Sequence, residues 1–264
     1  MMVTTKSELN LAVLDGGPEI FYTVQGEGAS VGRPALFVRT SGCNLECSWC
    51  DTPYTWVFSS AKAAVHADGQ LYSRRASQTR IAPADLAERI GSTGSTRIVL
   101  TGGEPMLQQK SLTEMLVNLK STHPGVIVEV ETNGTIEPRM YSILGRRTGM
   151  EVLVDQWNVS PKLSGARNSP GRALNPAALS RFGGLPNAVF KFVIAGEKDE
   201  ADLLRLVGPA NLGLQPARIW IMPEGRTPEE IRARLPRLAE LCKVHRFNLT
   251  TRLHIEIWGD KQGV

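Results

Sequence analysis

A chain of 264 residues, 42% of them hydrophobic, suits one large domain or two small ones around a substantial core. Its formal net charge of +4 comes without a long Lys/Arg block, which argues against nucleic-acid binding, and no run of about 18 apolar residues is present to cross a membrane. The polar stretch Met1–Asn10 lacks a signal-peptide core, and three of the four cysteines sit close together, so the expected setting is a reducing cytoplasm rather than a disulfide framework.

In chain order, apolar runs at Ala35–Val38, Arg97–Leu100, Val126–Val130, Val152–Val154 with Trp157–Val159, Val189–Ile194 and Arg218–Met222 read as buried strands. Helical patterns fall between them. Pro83–Ile90 and Asp199–Val207 are two, and Leu112, Met115, Leu116 and Leu119 share one helical face. Thr227-Pro228-Glu229-Glu230 is a capping box with proline in the first turn. It opens a helix towards His245 that Pro236 should kink or break. This alternation predicts an α/β fold with a parallel sheet. Ser59–Arg80 is polar, contains Asp68-Gly69 and reads as an insertion or mobile loop within a single domain spanning the chain. Asn248–Trp258 alternates at Leu253, Ile255 and Ile257 and reads as a late strand, with Gly259–Val264 as a terminal extension.

The motifs that carry chemistry follow successive strands. Cys43, Cys47 and Cys50, spaced Cys-x3-Cys-x2-Cys, follow the first. A closed zinc site or an ordinary cubane cluster takes four protein ligands. Three thiolates instead suit three irons of a four-iron cluster whose fourth iron stays open. The alternative is zinc completed by Cys242 or a histidine, although Cys242 sits in a helical pattern where a small core residue is expected. Thr101-Gly102-Gly103-Glu104-Pro105 follows the second strand, Glu131-Thr132-Asn133-Gly134 the third, and Ser160-Pro161-Lys162 the next. Loops at the carboxyl ends of parallel strands gather on one face, so one site built from all four is expected. Gly102 and Gly103 admit close backbone approach, Glu104 can accept from an ammonium, and Lys162 can meet a carboxylate. The Thr52 hydroxyl suits a hard cation such as magnesium. Each motif alone is also compatible with a structural turn. Trp49 and Trp56 are placed either over the cysteines or in core packing.

The three-cysteine loop followed by Gly102-Gly103-Glu104-Pro105 resembles the radical S-adenosylmethionine (SAM) superfamily. Gln25-Gly26-Glu27-Gly28, Gly32 to Arg39, Trp49-Cys50-Asp51-Thr52, and the ending from Arg252 to Val264 more narrowly resemble the 7-carboxy-7-deazaguanine synthases. The resemblance runs from Phe21 to the C-terminus, broken by Ser59–Arg80. It implies a shortened, modified TIM-like parallel barrel, a [4Fe-4S] cluster, SAM and Mg2+. The implied reaction is ring contraction of 6-carboxy-5,6,7,8-tetrahydropterin to 7-carboxy-7-deazaguanine and ammonia, on the route to queuosine and other deazapurines. A homodimer and an electron donor such as flavodoxin or ferredoxin are implied as partners.

By position, Cys43, Cys47 and Cys50 would hold the cluster and Thr52 the magnesium. Gly103, Glu104, Glu131, Ser160, Pro161 and Lys162 would surround SAM. Val24, Gln25, Gly26, Glu27, Arg39, Thr101, His254 and the C-terminal Val264 would hold the pterin. A glycyl-radical activating enzyme is the nearest rival, and a non-catalytic zinc module the rival of another class.

Overall fold

The computed structural model describes residues 7–264; Met1–Lys6, part of the polar N-terminal stretch, lie outside the described residues. Six strands pair in parallel and in chain order. They are β4 (Pro34–Thr40), β6 (Arg97–Gly102), β7 (Ile127–Thr132), β10 (Gln156–Val159), β11 (Ala188–Ile194) and β12 (Ile219–Pro223), with the two-residue β13 (Asn248–Leu249) as a seventh. The free edge of β4 is covered antiparallel by β1 (Leu9–Leu14) and β3 (Ile20–Val24). β1 in turn pairs with β2 (Gly17–Pro18) and β5 (Gln78–Ile81). β13 and the β1 side form the two ends of the sheet, so the barrel is partial.

The strand sequences explain the two faces. In β7, Val128 and Val130 alternate with Glu129 and Glu131; in β10, Trp157 and Val159 alternate with Asn158; in β11, Phe190 and Phe192 flank Lys191. The apolar set joins the main core against the helices Pro83–Gly91, Gln109–Thr122, Pro176–Gly183 and Glu197–Val207. Trp157 packs edge-on against Phe182 with ring centroids 5.2 Å apart. The polar set faces inward. Buried Glu129 pairs with Arg97 and accepts from Asn158 Nδ2 at 3.1 Å. A period of two in a barrel strand puts successive residues on opposite faces, so the inner lining is charged while the outer face is greasy.

Three expectations change. Val152–Val154 is no strand: Met150–Leu153 is a helical turn anchored by buried Met150, with Val152 exposed, and it follows a hairpin of β8 (Met140–Ile143) and β9 (Arg146–Gly149). The tail is a helix, Leu253–Trp258, after the short β13. The chain turns there because the Arg252 carbonyl accepts from the amides of Ile255 and Glu256, and the Leu253 amide donates to Gly26 O. The helix Pro228–His245 runs through Pro236 unbroken, since that proline lies on its exposed side, where the carbonyl it frees is not buried. Ser59–Arg80 carries the helical turns Ser60–Ala63 and Arg74–Ser77 and enters β5, whose alternation is hidden by polar residues.

Candidate active site

The three-cysteine loop leaves β4 and is held from several sides. Gly42 N donates to Thr55 O at 2.8 Å, and Asn44 exchanges side-chain hydrogen bonds with Asn133 and Thr135 after β7. His66 bonds the Cys50 carbonyl through Nε2 at 2.8 Å and accepts from Asp68 N through Nδ1, so its ring is fully engaged. All four cysteines are free thiols. Cys242 belongs to the main core and donates to Asn248 O, while Cys43, Cys47 and Cys50 pack together with Leu45, Ala166 and Trp49. Among the described residues no three His, Cys, Asp or Glu side chains are grouped to hold a single metal ion. Cys242 lies in the main core and the His66 ring is engaged at both nitrogens, so neither is placed to complete a zinc site with the loop. Trp49 and Trp56 both flank the cysteines: Trp56 is buried on the Cys43 and Cys50 side, and Trp49 lines the cavity described next.

The glycines after β6 are sterically required. A Cβ on Gly102 (φ +144°) would lie 2.2 Å from Thr40 O, and one on Gly103 2.2 Å from Gly42 O. Buried Glu104 accepts from Met106 N at 3.0 Å, Thr132 Oγ1 at 2.7 Å and Asn133 N at 2.7 Å, which ties the loops after β6 and β7 together.

One cavity opens at the carboxyl ends of the parallel strands. Of the residues singled out in the sequence, Val24, Gln25, Gly26, Glu27, Arg39, Thr52, Thr101, Gly103, Glu131, Ser160, Lys162, His254 and Val264 line it. Glu104, Pro161 and the three cysteines stand outside that lining. Gly26 is needed for close approach, since a Cβ there would stand 2.1 Å from His254 Nδ1. Lys162 donates to Ser160 Oγ at 3.0 Å and lies over the Trp49 ring. Arg39 donates through Nε to buried Glu19 at 2.6 Å, and Tyr54 donates to the other Glu19 oxygen at 2.9 Å.

Residues 37–163, from β4 through Ser160-Pro161-Lys162, match the Radical SAM superfamily. A 7-carboxy-7-deazaguanine synthase of Pyrobaculum aerophilum is 32% identical over 93% of this chain and 95% of its own. The synthase of Hyperthermus butylicus is 32% identical over 90% of each. The chain belongs to the 7-carboxy-7-deazaguanine synthase family. The crystal structure of QueE from Escherichia coli superposes with a TM-score of 0.63 at 25% identity, covering 94% of this chain and 95% of that one. Membership makes this a radical SAM enzyme on a partial TIM-like barrel, using a [4Fe-4S] cluster and SAM. The donor set fits the cluster. Three unpaired soft sulfurs share one loop with an apolar surround. Burial pushes all three thiols up, Cys50 to about 11, so a thiophilic iron centre is what would draw off their protons.

The synthase cavity also contains residues that the sequence reading did not single out. Lys191 donates to Glu27 Oε2 at 2.6 Å and to Glu131 Oε2 at 2.9 Å. Arg252 donates to Glu27 Oε1 at 2.9 Å and to Asp51, and Gln25 donates to Glu131 Oε1 at 3.2 Å. Burial alone would raise the Glu27 carboxyl, but Lys191 and Arg252 outweigh it and hold it well below the usual range. Glu131 goes the other way: burial dominates, Lys191 opposes it only in part, and Glu27 and Glu129 add like charge. Both carboxylates share one ammonium, yet only Glu27 has a second cation, which accounts for the opposite directions. Burial pushes His254 down, so its imidazole is neutral at pH 7. The signal for Lys191 was a charge inside the apolar run Val189–Ile194.

Proposed function

We propose that this chain contracts 6-carboxy-5,6,7,8-tetrahydropterin to 7-carboxy-7-deazaguanine with release of ammonia, in queuosine or deazapurine biosynthesis. The carrying observation is that one cavity has Gly103, Ser160 and Lys162 beside the cysteine loop on one wall and the Glu27–Lys191–Glu131 relay on another. A site that makes a radical and a site that reads a hydrogen-bonding heterocycle thereby share one space.

Cys43, Cys47 and Cys50 would hold the cluster, which together with SAM would supply the hydrogen-abstracting radical chemistry. The chain's residues do the rest by position. Gly103, with Glu104 and Glu131 near it, and Ser160-Pro161-Lys162 would frame SAM; Lys162 carries the charge for its carboxylate. Ionised Glu27 accepts from the amino and ring N–H groups of the pterin, joined by Gln25 and the backbone at Val24 and Gly26. Arg39, held by Glu19, presents its outer guanidinium nitrogens to the substrate carboxylate. Thr101 and neutral His254 complete the wall, and Val264 closes it with the tail. Thr52 would ligate Mg2+, which would orient the substrate carboxylate. Hydrogen abstraction demands close placement, so these contacts govern rate as well as affinity. We further propose a single-domain protomer with an inserted segment at 59–80, a homodimer in the cytoplasm, and reduction by flavodoxin or ferredoxin.

Mixed anaerobically with iron and sulfide, SAM, magnesium, a reductant and the pterin, the protein is expected to release the deazaguanine. SAM cleavage that never yields it would favour an activating enzyme instead, and stoichiometric zinc without a cluster would remove the catalytic reading. Thr52→Ala is expected to raise the magnesium concentration needed for half-maximal rate; an unchanged requirement would count against Thr52 as ligand.

A further inference from the structure

Asn168 lies just beyond Ser160-Pro161-Lys162, after the turn Ser164–Ala166, and it touches the cysteine loop twice. Its Oδ1 accepts from Glu46 N at 2.8 Å, and its Nδ2 lies 3.1 Å from Cys47 Sγ. The orientation is forced: the Glu46 amide is a donor and needs the oxygen, so the NH2 group must face the sulfur. Arg167, at φ +56°, turns the chain into this position, and Ser48 N donates to Ala166 O at 3.1 Å on the same loop. Cys47 is thus the cluster cysteine that receives a side-chain amide among the described residues. Cys43 has the Leu45 backbone amide at 3.4 Å, and Cys50 faces the Thr52 hydroxyl at 3.6 Å, the Thr52 backbone amide and the Trp56 indole.

We propose that Asn168 sets the reduction potential of the cluster by donating a hydrogen bond to the Cys47 thiolate, an inference that rests on the reading of this loop as a [4Fe-4S] site. Reduction adds negative charge shared with the sulfurs, and an N–H aimed at a sulfur stabilises that charge, moving the potential upward. The Asn168 hydrogen bond would thereby make the three-cysteine cluster easier to reduce. Asn168 acts through Cys47 and is a positioning residue, not a ligand.

The test compares anaerobically reconstituted wild type, Asn168→Asp and Asn168→Ala by iron and sulfide content and by potentiometric titration of the reduced-cluster EPR signal. Asn168→Asp keeps the acceptor for Glu46 N while removing the donor and adding a charge beside the sulfur. Both variants are expected to hold wild-type iron. Half-reduction should require about a tenfold larger ratio of reduced to oxidised titrant, equivalent to ~59 mV for one electron, with the Asp variant shifted further than the Ala variant. Midpoints equal to wild type at full occupancy would overturn the proposal. Loss of iron from both variants would also overturn it, leaving Asn168 a purely structural brace. A wild-type protein that takes up no iron–sulfur cluster would refute the underlying reading instead.

Discussion

At the scale of single residues, Lys191 is the centre of the charge network in the cavity wall. Its side chain is 6% exposed and holds two carboxylates, Glu27 assigned to the pterin and Glu131 assigned to SAM. Removing one partner of a buried ion pair costs about 3–5 kcal/mol, because the remaining charge is left uncompensated. Lys191→Met is therefore expected to lower unfolding stability by about that amount in denaturant melts, with Lys191→Arg recovering part of it. Without the ammonium, both carboxyl pKa values rise, so the acidic limb of the kcat/KM profile should move to higher pH. An acidic limb at the same pH in Lys191→Met would contradict the relay. The sign also fixes the native behaviour. Glu27 has a depressed pKa, so its contribution to stability is complete above the unfolded value of about 4.3 and is lost as pH falls through the lower folded value. Much of this wall could be read in the sequence, because Gln25, Glu27, Arg39 and Glu131 sit in recognisable motifs. The Arg252–Asp51 pair could not, since 201 residues separate the partners and nothing local announces their meeting.

At the scale of elements, the parallel strands and their helices were legible because apolar runs and helical spacing reflect burial directly. Two of the misreadings share one cause. Val152–Val154 and Leu253–Ile257 are too short for periodicity to separate a strand from a helical turn; burial of Met150 decided the first, and the Leu253 amide donating to Gly26 O the second. β1 and β5 were missed because their pairing is non-local, Leu9 to Ile81 through Ala12 to Gln78. Two element-level consequences are testable. Gly103→Ala places a Cβ 2.2 Å from Gly42 O and should push the cysteine loop off β6, so iron uptake on reconstitution should fall well below wild type. Full iron uptake would show that the loop tolerates displacement. Thr227→Ala removes the capping-box acceptor for Glu230 N in the helix Pro228–His245 and should lower stability by about 1 kcal/mol, read from the denaturant midpoint.

At the scale of the whole molecule, an open barrel needs its mouth closed by something other than strands. The tail does this: Gln262 donates to Asp51 O at 3.2 Å, and Val264 lines the cavity. Arg226 pairs with Asp260 on the tail and with Asp68 in the segment after the cysteines, clasping the two together. Exposed pairs contribute about 0–1 kcal/mol, so Arg226→Ala should leave global stability nearly unchanged while raising the pterin KM by up to about fivefold and exposing the tail to protease. The central claim is that radical generation and pterin reading share this one mouth. Conversion of the tetrahydropterin to the deazaguanine plus ammonia is redox-neutral, so the abstracted hydrogen can be traced without a co-substrate oxidant. The decisive measurement supplies 6-carboxy-5,6,7,8-tetrahydropterin deuterated at its saturated ring carbons and weighs the adenosyl products. Deuterium is predicted at the 5′ carbon of 5′-deoxyadenosine or of re-formed SAM, together with 7-carboxy-7-deazaguanine. Unlabelled 5′-deoxyadenosine, with all the deuterium left in unreacted pterin, would contradict it.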